Sequence, residues 1–300
     1  MDKLIVIAGT NASGKSGLGI DLALHYKAEI VSADSRQVFK GLNLGSGKVT
    51  KEEMQGIPHH LIDVAEPNEF FSLSHYQSLA YEAIDDIQKR GVTPFLVGGT
   101  GLYVNAVVDG YSLSKAPPDL TLRKSLEDKS HEELIDIIRD NNPSALLKLD
   151  LKNKRRLERA AEKALSDDKK EYPSVPKYDT LLIGVTWPRD ILYERIRIRL
   201  DKRLLEGMID EVANLRLAGA TDEFLYKLGL EYRYILMYLN GEFPDSDAFY
   251  NKLFMEIRHL AKEQMTWFRK RADIHWIDMS ASPFDEAVSL IDDFLADESL

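Results

Sequence analysis

The chain has 300 residues, 44% hydrophobic and 29% charged, a composition typical of one large or two ordinary globular domains rather than a disordered or fibrous protein. It contains no cysteine, which excludes disulfides, thiolate nucleophiles and cysteine-built metal sites and fits a reducing cytosol. No apolar run approaches the ~20 residues that cross a membrane, and the N-terminus begins with a strand-like run instead of a secretory signal, so we expect a soluble cytoplasmic protein.

Strand-like and helix-like segments alternate through the first hundred residues. This alternation predicts an α/β domain with a mainly parallel sheet. The predicted strands are residues 4–8, 29–32, 60–64 and 94–97, and the predicted helices are residues 16–26 and 73–90.

The pattern changes after Gly110. From Pro117 to Pro176 the residues are charged and typical of helices, and a strand-like run returns only at 180–185. We therefore predict that an all-helical domain, residues 115–176, is inserted into an α/β core of residues 1–114 and 177–300. The remaining predicted elements are helices at 189–206, 208–217, 232–239 and 247–271, a short strand at 275–277 and a last helix at 284–296.

The formal net charge of −10 argues at first against a nucleic-acid partner, because phosphate contacts need Lys and Arg. The charge is uneven, however: residues 273–300 hold eight acids and no Lys or Arg, which leaves −2 on the first 272 residues. A lone basic cluster is usually a solvated helix face, but three clusters keep a nucleic-acid partner open. The clusters are Lys152, Lys154, Arg155, Arg156, Arg159 and Lys163; Arg189, Arg195, Arg197, Arg199, Lys202 and Arg203; and Arg258, Lys262, Arg269, Lys270 and Arg271.

A phosphate-loop motif, G-x-x-x-x-G-K-[ST], lies between the first predicted strand and helix, as Gly9-Thr10-Asn11-Ala12-Ser13-Gly14-Lys15-Ser16. Its backbone N–H groups and the helix N-terminus favour an anion, Lys15 adds a charge and the Ser16 hydroxyl can hold Mg²⁺. A chance match in a Gly/Ser turn is the alternative. The motif predicts a P-loop NTPase-like fold and a polyphosphate ligand, whether a phosphoryl group is transferred or a phosphate leaves.

Asp34 follows the second predicted strand, at the edge where open α/β sheets bind ligands. It could be an acid associated with magnesium, a general base, or a turn aspartate. Asp63 also ends an apolar run and competes for the magnesium role. Thr100, in Gly98-Gly99-Thr100-Gly101, offers a hydroxyl at another strand-to-loop junction, which a tight glycine turn explains equally well.

These motifs resemble the tRNA dimethylallyltransferases, also called tRNA isopentenyltransferases, in order and spacing. Besides the phosphate loop, the resemblance rests on Ser-Ala-Asp-Ser at 32–35, Gly-Ile-Pro-His-His-Leu-Ile-Asp at 56–63 and Val-Gly-Gly-Thr-Gly-Leu-Tyr at 97–103. It continues through residues 155–162, 192–196, 231–233, 238–242 and 262–269, and covers about residues 4–278.

The resemblance implies transfer of a dimethylallyl group from dimethylallyl diphosphate to N6 of adenosine 37 in the tRNA anticodon stem-loop, releasing diphosphate. The loop amides, Lys15 and Mg²⁺ on Ser16 suit the charge on that leaving group. The resemblance implies Asp34 as proton acceptor and Thr100 beside the donor and the target base, which must flip out of its stack. The residues it implies for tRNA contact are Asp34, Ser35, Arg36, Gln37, Thr100, Arg123, Arg155, Arg156, Arg159, Tyr232, Arg233, Lys262, Gln264, Thr266, Trp267 and Arg269.

Aromatic side chains could add base stacking to these contacts. RNA loops are often read by bases stacked on aromatic rings, and Trp267, Phe268 and Tyr232 are the candidates. For any one of them a place in the hydrophobic core is the competing interpretation.

Four positions depart from the usual family pattern. Thr10 and Asn11 occupy the second and third positions of the phosphate loop, where the family usually has Pro and Thr. Glu231 stands where Gly is usual and Glu263 where a basic residue is usual, so both put acids near the implied RNA contacts.

Three other functions are compatible with parts of the chain. A small-molecule kinase accounts for the first 110 residues but not for the helical insertion or the basic clusters. A transferase acting on free adenylate needs no RNA surface, so neutralising Arg155, Arg156 and Arg159 would leave it unharmed. An RNA-binding switch without chemistry would tolerate Asp34→Asn.

We therefore favour tRNA prenylation by a monomer. If the acidic tail is an electrostatic counterweight and its helix is not needed for folding, deleting residues 284–300 should tighten nonspecific RNA binding.

Overall fold

The computed structural model describes residues 1–113, 119–166 and 173–297. The chain divides into two compact units, one formed by Met1–Tyr111 with the chain from Val175 onward, the other by Ser112–Ser174. The expected boundary between residues 114 and 115 lies outside the described residues.

Parallel strands form a single sheet in the first unit, and this arrangement confirms the predicted α/β class. Within the described residues the strands are β1 (Lys3–Gly9), β2 (Glu29–Ser32), β3 (His59–His60), β4 (Pro94–Gly98), β5 (Asp179–Thr186) and β6 (Ile274–Asp278). Their order across the sheet is β3-β2-β4-β1-β5-β6. In the centre, Ile5 of β1 lies opposite Phe95 of β4 and Leu181 of β5.

Helices account for most of the remaining described chain. They are α1 (Lys15–Tyr26), α2 (Leu73–Lys89), α3 (Gly101–Val108), α4 (Leu120–Glu127), α5 (His131–Asn141), α6 (Lys154–Leu165), α7 (Arg189–Leu205), α8 (Met208–Leu217), α9 (Asp222–Leu228), α10 (Leu230–Leu239), α11 (Ser246–Phe268) and α12 (Pro283–Ala296).

The central strands are buried on both faces, as parallel strands covered by helices must be. Side chains alternate along β1, so Leu4, Val6 and Ala8 join one apolar cluster and Ile5 and Ile7 join another. Helices α1 and α12 supply the second cluster, while α2, α3, α7, α8, α10 and α11 supply the first. This two-sided core makes the carboxyl ends of the strands a rigid platform.

Helix α12 is acidic outside and part of the core inside. Ala287 and Ile291 are fully buried in the second cluster, and Lys3 Nζ donates to the carbonyl oxygens of Phe294 (2.6 Å) and Leu295 (3.1 Å) at the end of the helix. Deleting the tail would therefore remove core side chains along with its charges. Truncation would therefore test folding and charge together.

Three parts of the element prediction were wrong. The strand expected at 60–64 is limited to His59–His60, because Leu61 (φ 63°) and Asp63 (φ 56°) adopt left-handed backbone conformations that end the pairing. Helix α3 was not predicted, because five of its eight residues are buried and the segment lacks a polar face. The short helix α9 was missed as well.

The second unit is helical throughout its described residues. It contains α4, α5, a 3₁₀ turn at Pro143–Lys148, and α6. Leu126, Leu134, Ile138, Leu157 and Ala161 form its own small core. The amphipathic pattern of its helices produces this core, because the apolar residues recur every three or four positions.

Candidate active site

A cavity of about 320 Å³ lies over the carboxyl ends of β1, β2 and β4. The loops that follow these strands supply Lys15, Asp34 and Thr100 to its lining, while α7 and α11 supply further wall residues. We call this cavity the chamber. It occupies the edge of a parallel sheet at which α/β proteins bind ligands, because the loops there converge.

The phosphate loop forms one wall and is held from outside. Gly14 has φ 89°, a conformation that favours glycine, and Ala12 is left-handed as well (φ 56°). Arg195 Nε donates to the Ala12 carbonyl (2.9 Å) and Trp187 Nε1 donates to the Ser13 carbonyl (2.8 Å). These two hydrogen bonds tie the loop backbone to Trp187 and to α7.

Lys15 is a buried cation in this wall. Its Nζ donates to the Thr10 carbonyl (3.1 Å). The pKa of Lys15 is lowered to about 8, mainly by burial; Asp34 opposes this shift, and nearby Arg199 and Arg203 contribute to it. An anion in the chamber would raise this pKa and stabilise the charged form, because an opposite charge raises the pKa of an amine.

Asp34 and Thr100 meet above β2 and β4. Asp34 Oδ1 accepts from the backbone N–H groups of Arg36 (2.9 Å) and Gln37 (3.3 Å), while Oδ2 makes no hydrogen bond with any described residue. Thr100 Oγ1 accepts from the Ser35 N–H (3.0 Å) and donates to Ser35 Oγ (3.3 Å). The turn role of Asp34 is therefore compatible with either ligand role, magnesium-associated acid or general base: one oxygen closes the turn and the other is available to a ligand.

Asp63, the competing carboxylate, is absent from the chamber lining. Its carboxylate pairs with Lys48, and its side chain is 46% exposed. The left-handed turn at 61–63 directs the chain away from the strand ends. Between the two acids, only Asp34 is placed to contact a ligand in the chamber.

Helix α11 closes the opposite wall. Gln264 Oε1 accepts from the Asn11 N–H (2.8 Å) and Gln264 Nε2 donates to the Gly99 carbonyl (2.9 Å), so one amide joins the loops after β1 and β4. Trp267 packs so closely on Gly101 that a Cβ there would lie 2.2 Å from Trp267 Cδ1. Sequence resemblance implies RNA contacts for Gln264 and Trp267; the structure also makes them wall residues.

Two chamber cations were missing from the predicted site. Arg199 and Arg203 of α7 line the chamber, and Arg199 Nη2 donates to the Gly47 carbonyl (3.3 Å). Burial lowers the pKa of Arg199 to about 10 and also lowers that of Arg203. Their four-residue spacing with Arg195 places all three on one helix face, a signal that the basic cluster already contained.

Two of the aromatic candidates are core residues. Tyr232 and Phe268 are fully buried, and the Tyr232 hydroxyl donates to Glu211 Oε1 (3.0 Å). A ring enclosed in the core cannot stack on a base, so the predicted RNA contact of Tyr232 does not fit its placement. Trp267, which is only partly buried, is the candidate that reaches the chamber.

The other predicted RNA-contacting residues divide between the two units. In the first unit, Lys262 and Thr266 are exposed on α11 and Arg269 is exposed just after it, whereas Arg233 Nε donates to the Tyr226 carbonyl (2.9 Å). The helical unit is described separately: Arg155, Arg156 and Arg159 are exposed on α6, and both Arg123 (2.7 Å) and Arg159 (2.6 Å) pair with Glu162.

The oxygen atoms of Ser16 and Asp34 are two chamber groups of a type suited to Mg²⁺. Hydroxyl and carboxylate oxygens are the ligand types that this hard cation prefers. The described residues contain no group of three or more His, Asp or Glu side chains that could hold a metal. The donor set thus fits a cation that is held largely by phosphate oxygens and water, as Mg²⁺ commonly is.

The sheet order, the loop between β1 and α1 and the cationic chamber define an α/β protein of the P-loop type. No helix in the described ranges has the length and apolarity of a membrane span.

Comparison with protein families agrees with this class and narrows it. The model of the IPP transferase family matches residues 37–271, and that of the isopentenyl transferase family matches residues 2–66. The tRNA dimethylallyltransferase 1 of Geotalea daltonii is 40% identical over 292 residues, covering 96% of this chain and 94% of that protein. The tRNA dimethylallyltransferase of Halalkalibacterium halodurans is 37% identical over 307 residues, covering 98% and 97%.

Solved structures show the same architecture. The tRNA isopentenylpyrophosphate transferase of Bacillus halodurans is 37% identical, with a TM-score of 0.73 and coverage of 99% of this chain and 96% of that one. A eukaryotic dimethylallyltransferase shares the fold at 24% identity, with a TM-score of 0.83 and coverage of 100% and 81%. The chain belongs to the IPP transferase family.

Proposed function

We propose that the protein transfers the dimethylallyl group of dimethylallyl diphosphate to N6 of adenosine 37 in tRNA and releases diphosphate. Membership of the IPP transferase family supports the reaction class. The observation that carries the proposal is the chamber lining, which includes both the phosphate loop with its buried Lys15 and Asp34, whose Oδ2 makes no hydrogen bond with a described residue. The phosphate loop with Lys15 suits a diphosphate leaving group, and Asp34 can accept the proton that the nucleophile must lose.

The donor end of the chamber is the phosphate loop. Its amide groups, Lys15 and Arg199 can stabilise the negative charge that develops as the allylic C–O bond breaks and the diphosphate leaves with the electron pair. Mg²⁺, held by the Ser16 hydroxyl together with the diphosphate oxygens, would supply further charge stabilisation.

The acceptor end is the turn at residues 34–37 with Thr100. The N6 amine of a flipped adenine forms the new C–N bond to the allylic carbon, and its extra proton passes to Asp34 Oδ2. Because Oδ1 is held by two backbone N–H groups, the orientation of the carboxylate is set before the substrate arrives. Thr100 fixes the same turn through its two hydrogen bonds to Ser35.

Each unit carries its own exposed basic residues, and we propose that both sets contact RNA. In the first unit they are Lys262 of α11 and Arg269 just after it, and in the helical unit Arg155, Arg156 and Arg159 of α6. Phosphate contacts release counterions, so tRNA affinity should fall steeply as salt concentration rises. We further propose that the enzyme works as a monomer in the cytoplasm.

The decisive experiment combines the protein, Mg²⁺, dimethylallyl diphosphate and unmodified tRNA, followed by mass spectrometry of the digested nucleosides and of nuclease fragments that locate the modified position. The expected product is adenosine heavier by one dimethylallyl group in place of a hydrogen, at position 37 only. Parallel reactions with ATP and with free AMP test the kinase and the free-adenylate transferase. Modification of AMP but not tRNA, or phosphoryl transfer from ATP, would reject the proposal.

A further inference from the structure

Glu231 is a buried carboxylate in the chamber wall whose role the proposed reaction does not explain. It is 5% exposed and lies in the first turn of α10. Arg36 Nη1 donates to its Oε2 (2.7 Å), and Arg203 Nη1 lies 3.9 Å from its Oε1. A buried carboxylate needs such partners because removing a charge from water is costly.

The backbone before Glu231 is shaped around Arg36. Gly229, between α9 and α10, has φ 137°, a conformation that disfavours residues with a side chain. A Cβ at this position would lie 2.4 Å from Arg36 Nη2, so the missing side chain leaves room for the guanidinium. Gly229 and Glu231 together hold Arg36 in one place.

Arg36 in turn belongs to the turn that orients Asp34. Its backbone N–H donates to Asp34 Oδ1, so the residue held by Glu231 is also one of the two donors that hold the carboxylate. Lys15, Arg36, Arg199 and Arg203 all line the chamber. If Arg36 lost its partner, its guanidinium could pair with the free oxygen of Asp34, and a neighbouring cation weakens a carboxylate as a base.

We propose that Glu231 is a positioning residue for the prenyl-transfer reaction: it holds the Arg36 guanidinium, and thereby keeps Asp34 oriented and its Oδ2 free for the proton from N6. This inference rests on the proposed function. It assigns Glu231 an effect on the rate of the chemical step and none on the binding of dimethylallyl diphosphate.

The test compares Glu231→Ala, Glu231→Gln and Glu231→Asp with wild type at saturating tRNA. We expect Glu231→Ala to lower kcat by ~10–100-fold with an unchanged KM for dimethylallyl diphosphate, because small misplacements of reacting groups are costly. Glu231→Gln, which keeps an oxygen for Arg36, should lose less, and Glu231→Asp should recover part of the rate. Glu242→Gln, at an exposed carboxylate outside the chamber lining, is the matched control.

A double variant separates positioning from a general structural defect. If Glu231 acts through Asp34, then adding Glu231→Ala to Asp34→Asn should lower kcat no further. An additive loss, or wild-type kcat in Glu231→Ala, would overturn the inference. Thermal unfolding monitors the fold of each variant, and Glu231→Gln serves as the test if Glu231→Ala does not fold. Failure of wild type to prenylate tRNA would instead reject the proposed function.

Discussion

The two ends of β2 carry buried charges that are organised in opposite ways. At its start, Glu29 accepts two hydrogen bonds from Arg90 (2.5 and 2.8 Å) and contacts His60 Nε2 (2.7 Å). The hydrogen bonds from Arg90 do most to lower the pKa of Glu29, to about 2. The charges in this cluster are paired with each other, so no ligand is needed to neutralise them.

Past the other end of β2, the chamber contains a surplus of positive charge. Burial lowers the pKa of Lys15 to about 8 and that of Arg199 to about 10, which means that the charged form of each side chain is less favourable here than in water. Asp34 Oδ2 lacks a hydrogen bond from any described residue. The difference indicates two roles for buried charge. The paired charges of Glu29 and Arg90 stabilise the sheet, whereas the excess of cations in the chamber favours binding of an anion.

The largest expected effect concerns Asp34, which the contrast between the two ends of β2 assigns to the reaction. We expect Asp34→Asn to lower prenylation by ~100–10,000-fold, because the amide cannot accept the proton from N6. Binding of tRNA should persist, as a filter or gel-shift assay can show. Asp63→Asn is the matched control, since Asp63 lies outside the chamber lining and pairs with Lys48. Equal activity of the two variants would contradict the assignment.

Lys15 tests whether the surplus charge binds the donor. Lys15→Met should weaken dimethylallyl diphosphate binding by ~10–100-fold, because a charge-assisted hydrogen bond is lost. In wild type, affinity should decline above pH 8 or so, where free Lys15 loses its proton. Calorimetric titrations across this range measure the effect. A wild-type pH dependence that survives in Lys15→Met would assign it to another group.

Glu29 tests the paired end of the strand. Glu29→Gln should lower the free energy of unfolding by ~1–3 kcal/mol without changing kcat, because only the structural cluster is weakened. The folded-state pKa of Glu29 is below its ordinary value of 4.5, so its stabilisation is complete above that pH and is lost as pH falls toward about 2. Denaturant unfolding should thus show the free energies of unfolding of wild type and Glu29→Gln becoming similar as the pH falls. A loss of kcat at neutral pH would undermine the separation of the two ends.

The acidic surface of α12 should have the smallest effect. Asp285, Glu286 and Asp293 are exposed, so neutralising them preserves the buried residues that a truncation would remove. We expect Asp285→Asn, Glu286→Gln and Asp293→Asn together to tighten nonspecific RNA binding by roughly 2- to 3-fold at low salt, because exposed charges are strongly screened. Affinity identical to wild type at low salt would exclude the tail as a counterweight.

The sequence alone determined the local and repetitive features of this protein. Alternating apolar runs indicated the parallel sheet and most of its helices, and the loop pattern placed Lys15 after β1, at the start of α1. Such features depend on neighbours within a few residues, so they can be read from a single chain. The resemblance to a family was equally visible, because its motifs are short and collinear.

Only the tertiary structure decided which polar and aromatic groups share the chamber. Asp34 and Arg199 line the chamber and Asp63 does not, while Tyr232 is buried in the core. Glu231 meets Arg36 across 195 residues of sequence. Sequence spacing does not predict such long-range contacts, because they depend on how the sheet and the helices pack. The same packing determines which charges pair within the protein and which can bind a substrate.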